Sequence, residues 1–405
     1  MRVRRAITAT LLAATCVLAA IGAQAGAIQT VEYRAGIAQG LTGRPVAITA
    51  GPDGNLWFTE HAGGVGRITP AGVVTEFAAP GPLLAIAAGP DGAIWFSETL
   101  PDAGSGLGSI TVDGALRGGF PIGPPSGSVL SLASGPDGAL WFTLLDAGMN
   151  VGRMTTAGAV TRSPSTYGPS QPEQIAVGPD GALWYTEGGS FLEPEHPSAG
   201  TTFRGLVRIT PAGAPTPFPL RAKGVRPFDL TAGPGGALWF TAAGPTPQIG
   251  RLTTAGAYTL FDARVPRDHT IGSIIAGPDR NLWYAINRGL IGRMTRKGLV
   301  TIFHTPSNAP APGDLAAGPD GNIWMTDETG GIVKVVPPSG RCVVPRLVGL
   351  RFASAKRRLH RADCTVGAVA APRRAHRGRL FVQHQYPRRG ARLPAESAVD
   401  VMLRR

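Results

Sequence analysis

The chain of 405 residues is long enough for two or three ordinary domains, and its 43% hydrophobic residues can form large cores. Its 57 glycines and 37 prolines favour turns and interrupt helices, which excludes a long helical bundle. The net charge of +13 is uneven: residues 341–405 carry 16 basic and three acidic residues, whereas 20 basic and 23 acidic residues nearly balance in 26–340. This asymmetry predicts two units with different partners.

The N-terminus predicts a secretory signal peptide over residues 1–25. Three arginines precede an apolar run over residues 6–21, and an Ala-Gln-Ala cleavage site follows at 23–25. The run is shorter than the roughly 20 residues that span a bilayer, which disfavours an uncleaved anchor. Cys16 lies inside the run, which disfavours a lipoprotein site. We therefore expect an extracytoplasmic protein, either secreted or retained at the cell envelope.

A motif close to Gly-Pro-Asp-Gly-x-Leu-Trp-Phe occurs seven times between residues 51 and 325. The copies contain every Trp of the chain: Trp57, Trp95, Trp141, Trp184, Trp239, Trp283 and Trp324. Successive Trp residues are 38 to 55 positions apart. Self-similarity at such a period is typical of repeat folds, in which each copy is one supersecondary unit.

The first copy shows the structure that each unit should adopt. Residues 46–50, 55–60, 65–69 and 73–77 are short β-prone segments, and Gly51-Pro52-Asp53-Gly54 is a tight turn between the first two. Four short strands in about 40 residues form one propeller blade. Seven copies therefore predict an all-β, seven-bladed β-propeller over residues 26–336. A solenoid or a sandwich is the alternative, but the single Trp per unit and the count of seven favour the propeller.

The two ends of the repeat region predict how the ring closes. Residues 30–34 resemble the fourth strand of a blade but precede the first copy, whereas the last copy stops at residue 336 before two prolines, without a fourth strand. We expect the N-terminal strand to complete the seventh blade, because this pairing removes two open sheet edges.

The units resemble those of the streptogramin B (virginiamycin B) lyase family. The resemblance is carried by Pro-x-x-Ile-x-x-Gly-Pro-Asp-Gly-x-Leu-Trp-Phe-Thr-Glu at 45–60, by its variant at 171–187, and by (Ile/Val)-Gly-Arg-(Ile/Met)-Thr at 65–69 and 291–295. It covers residues 31–336, and NHL-like propellers share part of it, so it identifies a scaffold better than an activity. It implies an enzyme that opens a cyclic depsipeptide antibiotic by magnesium-dependent elimination at an ester.

The resemblance also implies histidines in a Pro-His-x-Ile-x-x-Gly pattern at the start of inner strands, and a carboxylate at the end of a Trp strand. The corresponding inner-strand positions hold Val46, Glu173, Phe228, Gly272 and Gly313. Elimination needs a base that titrates near the working pH, for which histidine is the natural choice. The hypothesis is that His269, near the sixth-blade position, and Asp327, at the last carboxylate position, are catalytic; the alternative for His269 is an exposed loop residue.

Inner-strand starts and Trp-strand ends should share the rim opposite the Gly-Pro-Asp-Gly turns. The candidate ligand-binding residues on this rim are Arg44, Glu60, His61, Glu98, Glu187, Arg226, Asp229, Asp268, Asp314 and Glu328. Carboxylates at one level round a ring could hold a hard cation such as magnesium or calcium, which prefer oxygen ligands. No cofactor is certain from the sequence, and magnesium, which the resemblance implies, is the candidate. The alternative is a solvated rim with scattered salt bridges.

The basic tail forms a predicted second domain over residues 342–405, after a linker at 337–341. It resembles a PASTA domain, with Val-Pro-x-Leu-x-Gly at 344–349, a segment of helical period, and Gln-x-Pro-x-x-Gly at 385–390 before a terminal strand. The resemblance implies a small α+β module that binds cell wall. After signal cleavage the chain keeps two cysteines, Cys342 and Cys364, and an even count in an exported chain favours a disulfide.

Two functions follow from these features. The first is an exported recognition propeller, a monomer that binds a small molecule or peptide at its rim and is held at the envelope by a basic domain that binds cell-wall polymer or peptidoglycan. The second is a streptogramin B lyase-like enzyme. Export disfavours nucleic acid as the partner of the basic tail. The chain lacks Gly-x-Ser-x-Gly, Walker-type, Cys-x-x-Cys and His-Glu-x-x-His motifs, which weakens serine hydrolase, nucleotide and zinc-site interpretations.

Overall fold

A computed structural model describes most of the repeat region. The described residues are 28–34, 36–37, 43–100, 104–122, 127–145, 150–164, 171–188, 203–266, 268–306, 311 and 313–338. Residues 27–338 form one compact unit. The predicted signal peptide, the PASTA-like domain and the Cys342–Cys364 disulfide lie outside the described residues.

The described residues form seven four-stranded antiparallel sheets, which are the blades of an all-β propeller. Blade 1 consists of β2 (Pro45–Ala50), β3 (Leu56–Glu60), β4 (Val65–Ile68) and β5 (Val74–Phe77). Blade 2 consists of β6 (Ile86–Ala88), β7 (Ile94–Leu100), β8 (Gly104–Ile110) and β9 (Leu116–Pro121). Blade 3 consists of β10 (Ser128–Ser134), β11 (Ala139–Leu145), β12 (Asn150–Thr155) and β13 (Val160–Pro164). Blade 4 consists of β14 (Pro172–Val177), β15 (Leu183–Glu187), β16 (Gly205–Ile209) and β17 (Pro215–Pro219). Blade 5 consists of β18 (Arg226–Gly233), β19 (Ala237–Ala243), β20 (Gln248–Thr253) and β21 (Tyr258–Asp262). Blade 6 consists of β22 (Ile271–Ala276), β23 (Leu282–Ile286), β24 (Leu290–Met294) and β25 (Val300–His304). Blade 7 contains β26 (Leu315–Ala317), β27 (Ile323–Asp327), β28 (Gly331–Val336) and the N-terminal β1 (Gln29–Tyr33). Within the described ranges, no helix has the length and apolar composition needed to cross a bilayer.

Closure of the ring by the N-terminal strand is confirmed. Strand β1 pairs antiparallel with β28, from Gln29 opposite Val336 to Tyr33 opposite Ile332. The first and last strands of the repeat region therefore share one sheet, so the seventh blade has its fourth strand and the open edge of β28 is covered.

The Trp residues are buried between blades and are fixed by their own turns. Six indole N–H groups donate to the Asp of the preceding Gly-Pro-Asp-Gly-type turn at 2.9 to 3.1 Å. In blade 5 Gly235 replaces this Asp, and Trp239 donates instead to the carbonyl oxygen of Pro234 at 3.1 Å. The repeated turn thus orients the largest core side chain of each blade, because a buried indole N–H needs an acceptor.

Threonines on the Trp strands hold adjacent blades together. The Thr186 hydroxyl accepts a hydrogen bond from the N–H of Gln174 in its own blade at 3.1 Å and donates one to the carbonyl of Phe228 in the next blade at 2.7 Å. Thr326 repeats this arrangement across the closure, with Asp314 and Val46 as its partners. Inner strands are bulged at these positions, and the hydroxyl satisfies backbone groups that the bulge leaves outside the ladder.

Candidate functional site

The starts of inner strands and the ends of Trp strands lie together on the rim opposite the Gly-Pro-Asp-Gly turns, because these strands pair antiparallel. Pro45 at the start of an inner strand lies opposite Glu60 at the end of a Trp strand, and Pro172 lies opposite Glu187. The backbone N–H of His61 donates to the carbonyl oxygen of Arg44 at 3.0 Å. The Arg44 side chain also reaches Glu328 of blade 7 at 3.6 Å, so the rim is connected across the closure.

The acids at the ends of Trp strands lie inside their blades. Glu60, Glu98, Glu187 and Asp327 are buried. Glu98 accepts the N–H of Gly119 from the outer strand of its blade, and burial raises the pKa of its carboxyl. Asp327 accepts the N–H of Thr329 at 2.9 Å and lies 3.6 Å from Arg34. These contacts are local to one blade, so Glu98 and Asp327 contribute to blade structure as well as to the rim.

Asp229 and Asp314 occupy equivalent positions on inner strands, two blades apart. Asp229 accepts hydrogen bonds from its own blade at Leu230 N (2.7 Å) and from the next blade at Ile274 N (2.6 Å). Asp314 does the same with Leu315 N (2.8 Å) and with Ile48 N of blade 1 (2.9 Å).

Ser273, at the same position of the blade between them, completes a polar chain. Its side chain hydrogen-bonds both Asp229 and Asp314. Burial raises the pKa of Asp229 to about 7, with a further contribution from the nearby Asp314 carboxylate. Burial also raises the pKa of Asp314. Asp229 and Asp314 therefore form a buried carboxyl pair, linked through Ser273 of the blade between them, that binds a proton near neutral pH.

Glu173, at the start of the inner strand of blade 4, is another buried carboxyl of the rim. It is 6% exposed, and its Oε2 atom is buried without a hydrogen-bond partner. Burial raises the pKa of Glu173 to about 8, against the opposing charge of Arg226 from blade 5. Gly188 packs directly on this carboxyl, since a Cβ there would lie 3.1 Å from its Oε1 atom. At neutral pH Glu173 is therefore a largely neutral carboxyl beside a guanidinium.

The two proposed catalytic residues lie in neighbouring blades. His269 precedes β22 and is half-buried; its backbone N–H donates to Pro266 at 3.3 Å. Asp268 beside it is exposed and has a positive φ of 66°. Asp327 is fully buried at the end of β27 in blade 7. Their catalytic role remains a prediction.

The structure explains why one family histidine position is not occupied by a histidine. At Gly313 an added Cβ would overlap the carbonyl oxygen of Thr326, which belongs to the adjacent strand. Any side chain there requires the backbone to move. The blade 5 position holds the apolar Phe228, whose carbonyl oxygen accepts the Thr186 hydroxyl. These inner-strand positions supply packing and backbone hydrogen bonds rather than a titratable ring.

The described rim does not fit a magnesium site. Among the described residues, no group of three or more His, Cys, Asp or Glu is close enough together to hold a metal ion. Asp229 and Asp314 direct their oxygens at backbone N–H groups, and Glu98 does so as well. Carboxylates satisfied in this way lack the shared, convergent oxygens that a hard cation requires.

Fold and rim together define a seven-bladed propeller with buried, protonatable carboxyls at one end of its inner strands. The chain belongs to the virginiamycin B lyase family, whose model matches residues 14–190 and 201–347. No curated protein matches the chain at a significant level.

Solved structures support the same assignment. A streptogramin B lyase structure is 25% identical, with a TM-score of 0.65, and the match covers 76% of this chain and 97% of the lyase chain. Virginiamycin B lyase from Staphylococcus aureus is 27% identical, with a TM-score of 0.65, and the match covers 76% of this chain and 99% of that enzyme's chain. A catalytically inactive histidine-to-alanine variant of that enzyme with quinupristin is 26% identical, with the same TM-score and coverage. The WD40 propeller of Doa1, 10% identical with a TM-score of 0.55, shares the fold alone.

Sequence reasoning noted Glu173 only as an occupant of a histidine position, and it missed Ser273. The signal for both was present in the repeat: each stands at a defined offset from the Gly-Pro-Asp-Gly-type turn of its blade. Aligning the seven copies by that turn would have grouped Ser273 with Asp229 and Asp314.

Proposed function

We propose that this protein is an exported ligand-binding propeller of the virginiamycin B lyase family that recognises a small, peptide-like molecule at the inner-strand rim. The basic segment 342–405 holds it at the cell envelope through anionic wall polymer. The observation that carries the proposal is the substitution of the family histidine positions by Phe228, Gly272 and Gly313, which removes the natural base while the scaffold is kept.

Glu173 and Arg226 are the polar groups with which this rim would hold a ligand. A neutral carboxyl donates one hydrogen bond and accepts another, and it meets an amide or ester without the desolvation cost of a charge. The unpartnered Oε2 atom of Glu173 supplies such a group, and the guanidinium of Arg226 lies beside it. Peptide-like cyclic molecules, which are rich in amides and esters, fit this chemistry.

The test is calorimetric titration of the chain 26–405 with quinupristin, with product analysis by liquid chromatography and mass spectrometry. We expect binding without turnover, and affinity that weakens as the pH rises through about 8, because the neutral form of Glu173 is then lost. Glu173→Gln should keep binding and remove this pH dependence, whereas Glu173→Leu should lose most of the affinity. Glu76→Gln, on the exposed outer strand β5 of blade 1, is the matched control and should leave binding unchanged. Absence of binding would overturn the proposal for this ligand class.

Catalysis is the second candidate, favoured by the pKa of Glu173, which lies close enough to neutrality for proton transfer. In an elimination the base takes the proton from the carbon next to the carbonyl, a C=C bond forms, and the ester C–O bond breaks to release a carboxylate. The product keeps the substrate mass, whereas hydrolysis adds one water.

Turnover would also test the residues predicted from sequence. If a product of unchanged mass forms, His269→Ala and Asp327→Ala should abolish it; unchanged turnover would exclude that pair. A rate that rises through about pH 8 and is lost in Glu173→Gln would instead assign the base to Glu173.

Retention at the envelope is tested separately. The chain 26–405 is mixed with purified cell walls at physiological salt and sedimented. We expect co-sedimentation that falls as the ionic strength is raised, because the attraction of residues 341–405, with a net charge of +13, to anionic polymer is screened by salt. Failure to sediment at physiological salt would overturn the anchoring proposal and leave the rim proposal intact.

A further inference from the structure

In four blades the Asp of the Gly-Pro-Asp-Gly-type turn forms an ion pair with a cation on the third strand of the same blade. These pairs lie on the rim that carries the turns, which we call the turn rim. The nitrogen-to-oxygen distances are 2.6 to 2.8 Å for Arg153–Asp137, Arg208–Asp180, Arg293–Asp279 and Lys334–Asp320. The same carboxylates accept the indole N–H of their blades. The turn carboxylate therefore serves two partners, one neutral and one charged.

Blade 5 keeps the cation but has no turn carboxylate. Gly235 stands at the position of the Asp, and the carbonyl oxygen of Pro234 accepts the indole N–H of Trp239 instead. The cation is Arg251, whose Cζ atom lies 5.9 Å from the centroid of the Trp239 ring. Within the described part of blades 5 and 6, no group accepts a hydrogen bond from this guanidinium or pairs with its charge. The carbonyl replaces the carboxylate for the indole but not for the arginine.

The space beside Arg251 is open to solvent. Gly235 and Gly236 are both exposed. A Cβ on Gly235 would have one neighbour within 4 Å, the Nη2 atom of Arg251 at 3.8 Å, and a Cβ on Gly236 would have none. A group that approaches over this turn therefore reaches the guanidinium from the side on which other blades place their own carboxylate.

The turn between β24 and β25 of blade 6 borders the same space and adds two positive charges. Its Gly298 packs on Phe261 of blade 5, since a Cβ there would lie 2.5 Å from the Cδ1 atom of that ring. Phe261 in turn stacks on Trp239, with centroids 5.8 Å apart. The two residues before Gly298 are Arg296 and Lys297, and both are exposed.

Equivalent contacts in two other blades show how near this turn comes to the third-strand cation. Arg67 of blade 1 donates to the carbonyl oxygen of Val112 in blade 2 at 2.9 Å, and Lys334 of blade 7 donates to that of Pro70 in blade 1 at 3.0 Å. Each acceptor is the second residue of the corresponding turn in the next blade. Arg296 occupies this position after blade 5, so the repeat places it beside Arg251.

We propose that the turn rim between blades 5 and 6 binds a small di- or tricarboxylate. One carboxylate lies against Arg251, in the place that the turn Asp takes in other blades, and a second faces Arg296 and Lys297. The planar guanidinium matches a carboxylate in a fork-to-fork arrangement, and such charge-assisted bonds are strong. This site is on the rim opposite the inner-strand starts, so it does not depend on the ligand proposed for Glu173.

The experiment is calorimetric titration of the chain 26–405 with citrate at physiological salt, with inorganic phosphate as the comparison anion. Gly235→Asp restores the Gly-Pro-Asp-Gly turn of other blades, so it should raise the Tm without ligand and lose the citrate site to its own carboxylate. Arg251→Gln should weaken citrate binding by about tenfold or more, because a charged hydrogen-bond partner is lost. Residues 341–405 also attract anions, but they are the same in every variant, so differences between variants report this site.

Arg153→Gln is the matched control, because this arginine has the same position in blade 3 but already pairs with Asp137. It should leave citrate binding unchanged, and quinupristin binding should be unchanged in all these variants. The proposal is overturned if Arg251→Gln binds citrate as Arg153→Gln does, or if a folded Gly235→Asp binds it as the unmodified chain does. Phosphate that binds the unmodified chain more tightly than citrate would overturn the assignment to carboxylates.

Discussion

The carboxylate of Asp229 accepts the backbone N–H of Ile274 at 2.6 Å, and this bond joins the inner strands of blades 5 and 6. Asp229 is buried, and this burial raises its pKa to about 7. A carboxyl that binds a proton near neutrality thus lies within a contact that holds the ring together. The stability of the propeller should depend on pH through this residue.

Asp229 should make the propeller more stable in mild acid than in mild base. Its folded-state pKa, about 7, lies above the ordinary value of 3.8, so the folded chain binds the extra proton between these values. Stability from this group is present at low pH and is lost as the pH rises through 7, on the order of 4 kcal/mol for the full shift. The free energy of unfolding, measured by denaturant titration from pH 5 to pH 8, checks this.

Asp229→Asn is the control variant, because an amide does not titrate. It should flatten the dependence between pH 5 and pH 8, although it loses one backbone acceptor. An unchanged slope in this variant would assign the dependence to another group.

Asp320 should act in the opposite direction at lower pH. Burial alone would raise the pKa of Asp320, but the hydrogen bonds that its carboxylate accepts from Lys334, Asn322 and Trp324 outweigh burial. Together they lower the pKa from 3.8 to about 2. The stabilisation is present above the unfolded pKa and is lost as the pH falls through 2, by about 2 kcal/mol. Asp320→Asn should remove this loss in an acid titration followed by circular dichroism, whereas Asp268→Asn, at an exposed loop, should leave the acid transition unchanged.

Thr186 should contribute to the interface between blades 4 and 5. Thr186→Val preserves the shape but leaves the Phe228 carbonyl and the Gln174 N–H without their partner. We expect a loss of about 1–3 kcal/mol in the free energy of unfolding, because buried polar groups without partners are costly. Blade 6 carries Ala285 at this position, so Ala285→Thr offers a converse test that should not destabilise if the space permits the hydroxyl. A Thr186→Val variant as stable as the unmodified chain would contradict the prediction.

Tyr33 should be the residue through which the closing strand stabilises blade 7. It stacks on Trp324 with centroids 5.6 Å apart, and its backbone pairs with Ile332. Tyr33→Ala should lower the free energy of unfolding by about 2–3 kcal/mol, since a partly buried aromatic and its ring contact are lost. Hydrogen exchange should show the loss of protection concentrated in β26–β28, and Tyr33→Phe should be nearly neutral. Uniform loss across all blades would contradict a local role.

Much of the propeller could be predicted from the sequence because its determinants are local. The turn that precedes Trp57 lies within a few residues of the strand that it orients, and its Asp53 accepts the indole N–H directly. Counting such turns fixes the number of blades, and the unmatched residues 30–34 and 331–336 predict that β1 pairs with β28. Each inference needs only one repeat or the two ends of the repeat region.

The state of the rim carboxyls was decided by the tertiary structure. Asp229, Ser273 and Asp314 come from three blades and meet only when the ring is formed, and the raised pKa of Asp229 follows from that burial and from Asp314. Glu173 is an ordinary glutamate in the sequence, yet the fold removes its carboxyl from water and raises its pKa to about 8. Residue type and repeat position are properties of the sequence, whereas desolvation and charge proximity depend on neighbours that are distant along the chain.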